Sequence, residues 1–180
     1  MLVLGAGLQG AACAYDLVNT AGVEEVRLAD LDVNHLPPFL ESLAGGRLTP
    51  VPLDVRDRDA VLSAMWGCAA VMSAVPYYFN GPLAALAIEA GAHFCDLGGN
   101  TEIVNQQKKL AAEAVARGVS VVPDCGLAPG LVNIMAQHGI DQLDRVDAVR
   151  LFVGGLPQHP EPPIRRHTIS QVADCATSRS

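Results

Sequence analysis

Gly5-Ala6-Gly7-Leu8-Gln9-Gly10 stands between a short apolar run, Leu2-Val3-Leu4, and a segment in which Ala11, Ala12, Ala14 and Leu17 recur at helical spacing. A G-x-G-x-x-G placed between a strand and a helix constrains the chain on both sides. The first glycine permits a tight turn, the second lets backbone approach a pyrophosphate, and the third lets the helix pack closely on the strand. The free N–H groups of the helix N-terminus supply an anion site. Taken alone, the motif also fits a purely structural glycine turn, so the surrounding pattern has to decide.

That pattern is an alternation. Short β-branched apolar runs are followed by longer amphipathic ones, as in repeated βαβ units, and the fold class expected is α/β with a doubly wound parallel sheet. Strands are expected near Met1 to Leu4, Val26 to Ala29, Leu48 to Leu53, Ala70 to Ala74, His93 to Cys95 and Val119 to Val122. The first helix starts near Leu8, with Gly22 just beyond its end. Pro82 opens another that stops at Gly91, and a third runs from about Thr101 to Arg117, with Lys108, Lys109, Glu113 and Arg117 on a solvated face. Half of the 180 residues are hydrophobic, enough for a sizeable core.

The charge balance excludes some functions. Twelve basic residues against 19 acidic give a net of -7, which argues against nucleic acid or an anionic membrane as partner. The charge-free stretch from Ala60 to Ile88 is cut by Pro76, Asn80, Gly81 and Pro82 into pieces too short to span a bilayer. Met1 runs straight into the first strand with no export signal, so a cytoplasmic location is expected. Cys13, Cys68, Cys95, Cys125 and Cys175 form no C-x-x-C pair, which points to reduced thiols and no metal.

The strand ends carry the chemistry. Asp30 closes the second strand about twenty positions beyond Gly10, where a carboxylate accepts both ribose hydroxyls of an adenine nucleotide and repels a 2′-phosphate. Leu31 and Asp32 bring no arginine to offset it, so NAD is preferred over NADP. Ligands of an open parallel sheet bind at the carboxyl ends of its strands, and polar or glycine-rich residues mark all six. Asp54-Val55 would reach the adenine edge. The turn Ala74-Val75-Pro76 would run beside the pyrophosphate and nicotinamide ribose, followed by Tyr77. Asp96-Leu97-Gly98-Gly99 and Asp124-Cys125-Gly126 would lie nearest the nicotinamide and a substrate. Singly, each aspartate is more often a strand cap than a catalyst; their shared edge improves the odds of function. Cys125 has no neighbouring histidine or lysine in sequence to activate it. His93 begins a strand and His138 sits on the helix after Gly130, neither with metal-ligand spacing.

Four motifs in order, Gly5-Ala-Gly-Leu-Gln-Gly10, Asp96-Leu-Gly-Gly-Asn-Thr101, Asp124-Cys-Gly-Leu-Ala-Pro-Gly130 and Val153-Gly-Gly-Leu-Pro-Gln158, resemble the saccharopine dehydrogenase-like family, most closely its lysine 6-dehydrogenase branch. The resemblance runs from Met1 to about Pro163. It implies a dinucleotide-binding domain followed by a substrate and dimerisation domain, a homodimer, and oxidation of an amino-acid amine. In the lysine branch a hydride leaves the ε-carbon of lysine, and hydrolysis of the imine yields the semialdehyde and ammonia. Such chemistry needs a group that accepts the amine proton. Asp96 or Asp124 is the candidate, with Tyr77 and Cys125 lining the pocket.

The organisation expected is a Rossmann domain over residues 1–145, the first strand and linker of a second domain over 146–163, and a divergent tail over 164–180. Val146 to Val153 alternates apolar and polar as a half-buried strand does, and the prolines from Pro157 to Pro163 read as extended. From Ile164 to Ser180 there is no glycine, proline or aromatic residue, and only a weak helical piece around Val172 and Ala173. The loss of resemblance after Pro163 suggests a truncated second domain, with little turnover of lysine or saccharopine. A noncatalytic dinucleotide-binding remnant, a saccharopine-type reductase and a methyltransferase using the glycine loop and Asp30 are the alternatives.

Overall fold

The computed structural model describes residues 1–154 and the strand Ser170–Cys175. The stretch Pro157 to Pro163, expected to be extended, lies outside the described residues. Two compact units emerge, Met1–Gly126 and the chain from Leu127 onward.

In the first unit six strands, β1 (Leu2–Leu4), β2 (Val26–Asp30), β3 (Leu48–Pro52), β4 (Ala70–Ser73), β5 (His93–Asp96) and β6 (Val121–Val122), pair in the order β3-β2-β1-β4-β5-β6. Every pairing is parallel. This is the doubly wound Rossmann-type order, and its direction reverses between β1 and β4, where such sheets bind their ligands. Between the strands run α1 (Leu8–Asn19), α2 (Pro38–Glu41), α3 (Arg58–Met65), α4 (Asn80–Ala90), α5 (Thr101–Lys108) and α6 (Ala111–Arg117).

β1 lies mid-sheet, and all three of its residues are fully buried. A strand covered on both faces has no polar side, which is why it reads as an unbroken apolar run. Its side chains still alternate between the faces. Leu2 and Leu4 join Val61, Met65, Leu83, Ala87 and Phe94 in one core. Val3 joins Ala11, Ala14, Val18, Leu28 and Leu40 in the other.

β3 is an edge strand containing two prolines. The Leu53 N–H bonds the Asp30 carbonyl at 2.8 Å, and the Arg47 carbonyl accepts from the Val26 N–H at 2.8 Å. Odd-numbered backbone groups therefore face β2, and Pro50 and Pro52 stand at outward-facing positions where no ladder donor is needed.

Two expected elements differ. β6 is only two residues long because Val119 is consumed by the end of α6: Gly118 takes a left-handed φ of 68°, and the Val119 N–H reaches back to the Ala114 carbonyl at 3.0 Å. The single helix expected from Thr101 to Arg117 is two. At Lys109 and Leu110 the N–H groups bond Gln106 and Gln107, three residues back, at 3.1 and 3.0 Å, and this tightening breaks the helix.

The second unit contains α7 (Leu131–Ile140) and two antiparallel strands, β7 (Val149–Gly154) and β8 (Ser170–Cys175), in register from Val149↔Cys175 to Gly154↔Ser170. The alternation read over Val146 to Val153 corresponds to β7, whose residues alternate between half-buried and exposed. The helical piece expected around Val172 and Ala173 is instead β8. A weak local helical tendency yields to backbone pairing with β7. Among the described residues no helix is long and apolar enough to cross a membrane.

Candidate functional site

The glycine turn after β1 is locked from both sides. The Gly5 N–H bonds the Ala29 carbonyl at 2.7 Å, and the Ala74 N–H bonds the Leu4 carbonyl at 2.7 Å. Gly5 has φ +95°, and a Cβ there would sit 2.9 Å from the Ala74 carbonyl oxygen. A Cβ on Gly10 would overlap the Gly5 carbonyl oxygen, whereas one on Gly7 would meet nothing within 4 Å. Two glycines thus close the turn on itself, and the third leaves an open face. That face lies at the N-terminus of α1, which no side chain caps and whose first turn holds no acidic residue. Leu8 and Gln9 stand exposed beside it. These features fit a dinucleotide pyrophosphate: backbone N–H groups point outward with the positive end of a twelve-residue helix behind them.

Asp30 is built into this turn. Its Oδ2 accepts the Ala6 N–H at 2.6 Å and its Oδ1 accepts the Asp32 N–H at 3.3 Å. The carboxylate therefore holds the glycine loop and opens into a cavity of about 340 Å³, lined also by Gly5, Asp54, Val55, Val75, Pro76 and Tyr78. Residues from the ends of β1, β2, β3 and β4 converge there, as adenosine binding at the switch point requires.

The same cavity holds Arg56, which sequence reasoning passed over. Its Nε donates to Asp54 Oδ1 at 2.9 Å and Oδ2 at 3.0 Å, and its Nη2 donates to Oδ2 at 2.6 Å. The Arg56 backbone N–H also bonds Oδ1, at 2.9 Å. Hydrogen bonds from the Arg56 guanidinium and N–H hold the Asp54 carboxyl down at about 2. The available signal was the Asp54-Val55-Arg56 spacing, an acidic turn with a cation two residues on.

Beyond Pro76 the chain makes a 3-10 turn, Tyr77–Phe79, that runs directly into α4. It is anchored from below by Ser73 and Asn80, both buried, whose side chains bond at 2.8 Å. Tyr78 and Phe79 line this cavity; Tyr77 is not among its lining residues. Tyr77 lies beside the β5 loop instead, its Cβ 3.4 Å from where a Gly99 Cβ would stand.

Asp96 and Asp124 occupy different environments. Asp96 is 1% exposed. Its Oδ1 accepts from the Gly98 N–H at 2.7 Å and the Asp124 N–H at 3.4 Å, and its Oδ2 accepts from Gln107 Nε2 at 2.6 Å. Both oxygens are turned inward to tie the β5 and β6 loops together, and the Cys125 N–H adds a 2.7 Å bond to the Asp96 carbonyl. Asp124 is half-buried with a φ of 61°, unusual for a residue with a side chain. Its Oδ1 fills the space a Gly98 side chain would take, so Leu97-Gly98 and Asp124 are fitted to one another. Asp124 is the carboxylate nearer the surface of this edge, beside Gly98.

Cys125 is exposed, and its Sγ contacts the Val122 carbonyl at 3.4 Å. Desolvation, then the Asp96 and Asp124 carboxylates, push its thiol up from 9.0, the opposite of an activated thiolate. Burial likewise lifts the Cys95 thiol to about 11. His93 opens β5 and its Nδ1 accepts the Ser120 N–H at 3.0 Å. His138 is exposed on α7 and pairs with Gln142. Among the described residues no cluster of His, Cys, Asp or Glu could hold a metal.

Known proteins match this arrangement. The saccharopine dehydrogenase NADP-binding-domain family model covers residues 1–122. Apo saccharopine dehydrogenase (L-Glu forming) from Saccharomyces cerevisiae superposes with a TM-score of 0.66 at 25% identity, over 89% of this chain and 35% of that one. This chain therefore spans about a third of the length of the yeast enzyme. A Klebsiella pneumoniae protein superposes with a TM-score of 0.58 at 19% identity, over 84% of this chain and 40% of that one, and shares the fold. With two thirds of its length covered by the family model and the glycine turn, acidic β2 end and switch-point cavity in place, the chain belongs to the saccharopine dehydrogenase NADP-binding-domain family and carries an NAD(P)-binding Rossmann domain of the oxidoreductase type.

Proposed function

We propose that the chain is the NAD-binding part of a dehydrogenase that oxidises the side-chain amine of lysine, releasing the semialdehyde and ammonia. The observation that carries this reading is the pair of carboxylates along one sheet edge, Asp30 in the cavity after β2 and Asp124 against Gly98 after β6. The family's description carries NADP; Asp30 supports NAD for this member. A carboxylate at the end of β2 hydrogen-bonds ribose hydroxyls and repels a 2′-phosphate, and no basic residue follows it at Leu31 or Asp32.

Bound NAD supplies the hydride acceptor. The chain's residues do the rest. Gly5, Gly7 and Gly10 shape the pyrophosphate turn together with the backbone of Ala6, Leu8 and Gln9. Asp54 and Val55 border the adenine, and Ala74, Val75 and Pro76 border the path toward the nicotinamide. Asp124 orients the substrate ammonium and accepts its proton, because only the neutral amine can release a hydride from its carbon. Asp96 fixes the Asp124 loop, and Tyr77 and Cys125 wall the amine site. Homodimerisation and a cytoplasmic location belong to the same reading. A saccharopine-type reaction is the second reading, favoured by the superposition on the yeast enzyme.

Fluorescence titration of the 180-residue chain with NADH and NADPH tests the cofactor. NADH is expected to bind about tenfold more tightly, and equal affinities refute the role of Asp30. Lysine, not saccharopine, is expected to shift the fluorescence of bound NADH, and Asp124→Asn to abolish that shift. A response to saccharopine alone decides for the second reading.

A further inference from the structure

We infer that Asp54 is a second determinant of dinucleotide choice, because it closes an ion pair on Arg56 and so withholds from a 2′-phosphate the only cationic side chain among the described residues lining the adenosine cavity. The inference rests on the reading of Asp30 as the residue that selects NAD.

Three observations carry it. Arg56 and Asp30 line one cavity, and the ends of their strands are joined by the Leu53 N–H bonding the Asp30 carbonyl at 2.8 Å. A guanidinium there lies in the neighbourhood of the ribose that Asp30 addresses. Two of its three nitrogens are directed elsewhere: Nε and Nη2 both donate to Asp54, at 2.6 to 3.0 Å. A fork of this kind satisfies a carboxylate as fully as it would a phosphate. Finally, Asp54 is itself held by its own turn, through the Arg56 backbone N–H at 2.9 Å, so the acceptor does not swing aside with the side chain it binds. Asp32, two residues beyond Asp30, is engaged by the Asn34 N–H at 2.9 Å and His35 Nδ1 at 3.2 Å.

The sequence thus contains a cation suited to a 2′-phosphate, neutralised in place. Asp54→Asn separates the two roles of Asp54, since the amide oxygen still accepts the backbone N–H while the charge that holds the guanidinium is gone. NADH and NADPH affinities of the full chain, measured by fluorescence titration, read the result. In Asp54→Asn the preference for NADH over NADPH is expected to fall about tenfold, the worth of one charge-assisted hydrogen bond. Adding Arg56→Gln should return the ratio to its starting value. An unchanged ratio in Asp54→Asn, or a gain that survives Arg56→Gln, overturns the inference. Arg56→Gln alone provides a control that does not depend on the folding of the Asp54 variant. It bares the Asp54 carboxylate in the cavity and should widen the preference for NADH, and a preference that narrows or stays the same overturns the inference. If the unaltered chain binds NADPH as well as NADH, the reading of Asp30 fails independently of these variants.

Discussion

Gln107 offers the sharpest test of how the β5 and β6 loops are held. Its Nε2 bonds Asp96 Oδ2 at 2.6 Å in a site where Asp96 is 1% and Gln107 2% exposed. Its own Oε1 is buried with no partner among the described residues. Gln107→Leu removes a charge-assisted hydrogen bond worth about 1.5–3 kcal/mol and strands a carboxylate oxygen out of water. Eliminating the orphaned Oε1 returns about 1 kcal/mol. The net loss is about 2–3 kcal/mol, and at about 2–4 °C per kcal/mol for a chain of this size the melting midpoint should drop by about 5–10 °C. Asp96→Asn is expected to be milder, about 1 kcal/mol, because Gln107 can rotate its amide and present Oε1 to the new NH2 group. Thermal melting followed by circular dichroism measures both. A drop below about 2 °C for Gln107→Leu, or Asp96→Asn proving the more damaging of the two, would refute the account of Asp96 as the tie between loops.

Two further perturbations probe the edge of the sheet. Gly10→Ala drives a methyl group into the Gly5 carbonyl and should destabilise the chain by about 1–3 kcal/mol and abolish saturable NADH binding; a normal titration would show that the turn is not the pyrophosphate site. Cys125, its thiol raised above 9.0 by desolvation and then by Asp96 and Asp124, should be alkylated more slowly than free cysteine near pH 8 and speed up only as pH rises past that value. Asp124→Asn should shift this rate profile to lower pH, as mass spectrometry of the labelled peptide would show, and rapid labelling at neutral pH would contradict the electrostatics.

The six strands were legible because a parallel sheet covered on both faces must be built from unbroken apolar runs, as Leu2-Val3-Leu4 shows. The start of β6 was not, because the Val119 N–H closes α6 on the Ala114 carbonyl, a helix-ending bond that competes with strand pairing. The expected helix from Thr101 to Arg117 contains no proline or glycine, so nothing local announced the break at Lys109. Asp96 and Asp124 looked equivalent in sequence, each the first polar residue after an apolar run. What separates them is the buried amide of Gln107, eleven residues from Asp96 and on another element. Arg56 escaped notice for a similar reason. Its nearness to Asp30 depends on β2 and β3 being neighbours in the sheet, a fact of topology that no local spacing carries.

Pro50 and Pro52 bear on more than the shape of β3. An open sheet exposes a rim of unpaired donors at each end, and such a rim can template another chain and seed edge-to-edge aggregation. On the β3 side both prolines occupy outward-facing positions, so two of the donors an incoming strand would need do not exist. On the opposite side β6 offers two residues before Pro123, too short a rail for stable addition. The six-stranded sheet is thus protected against extension at both ends, and strand addition to either of its edges is disfavoured.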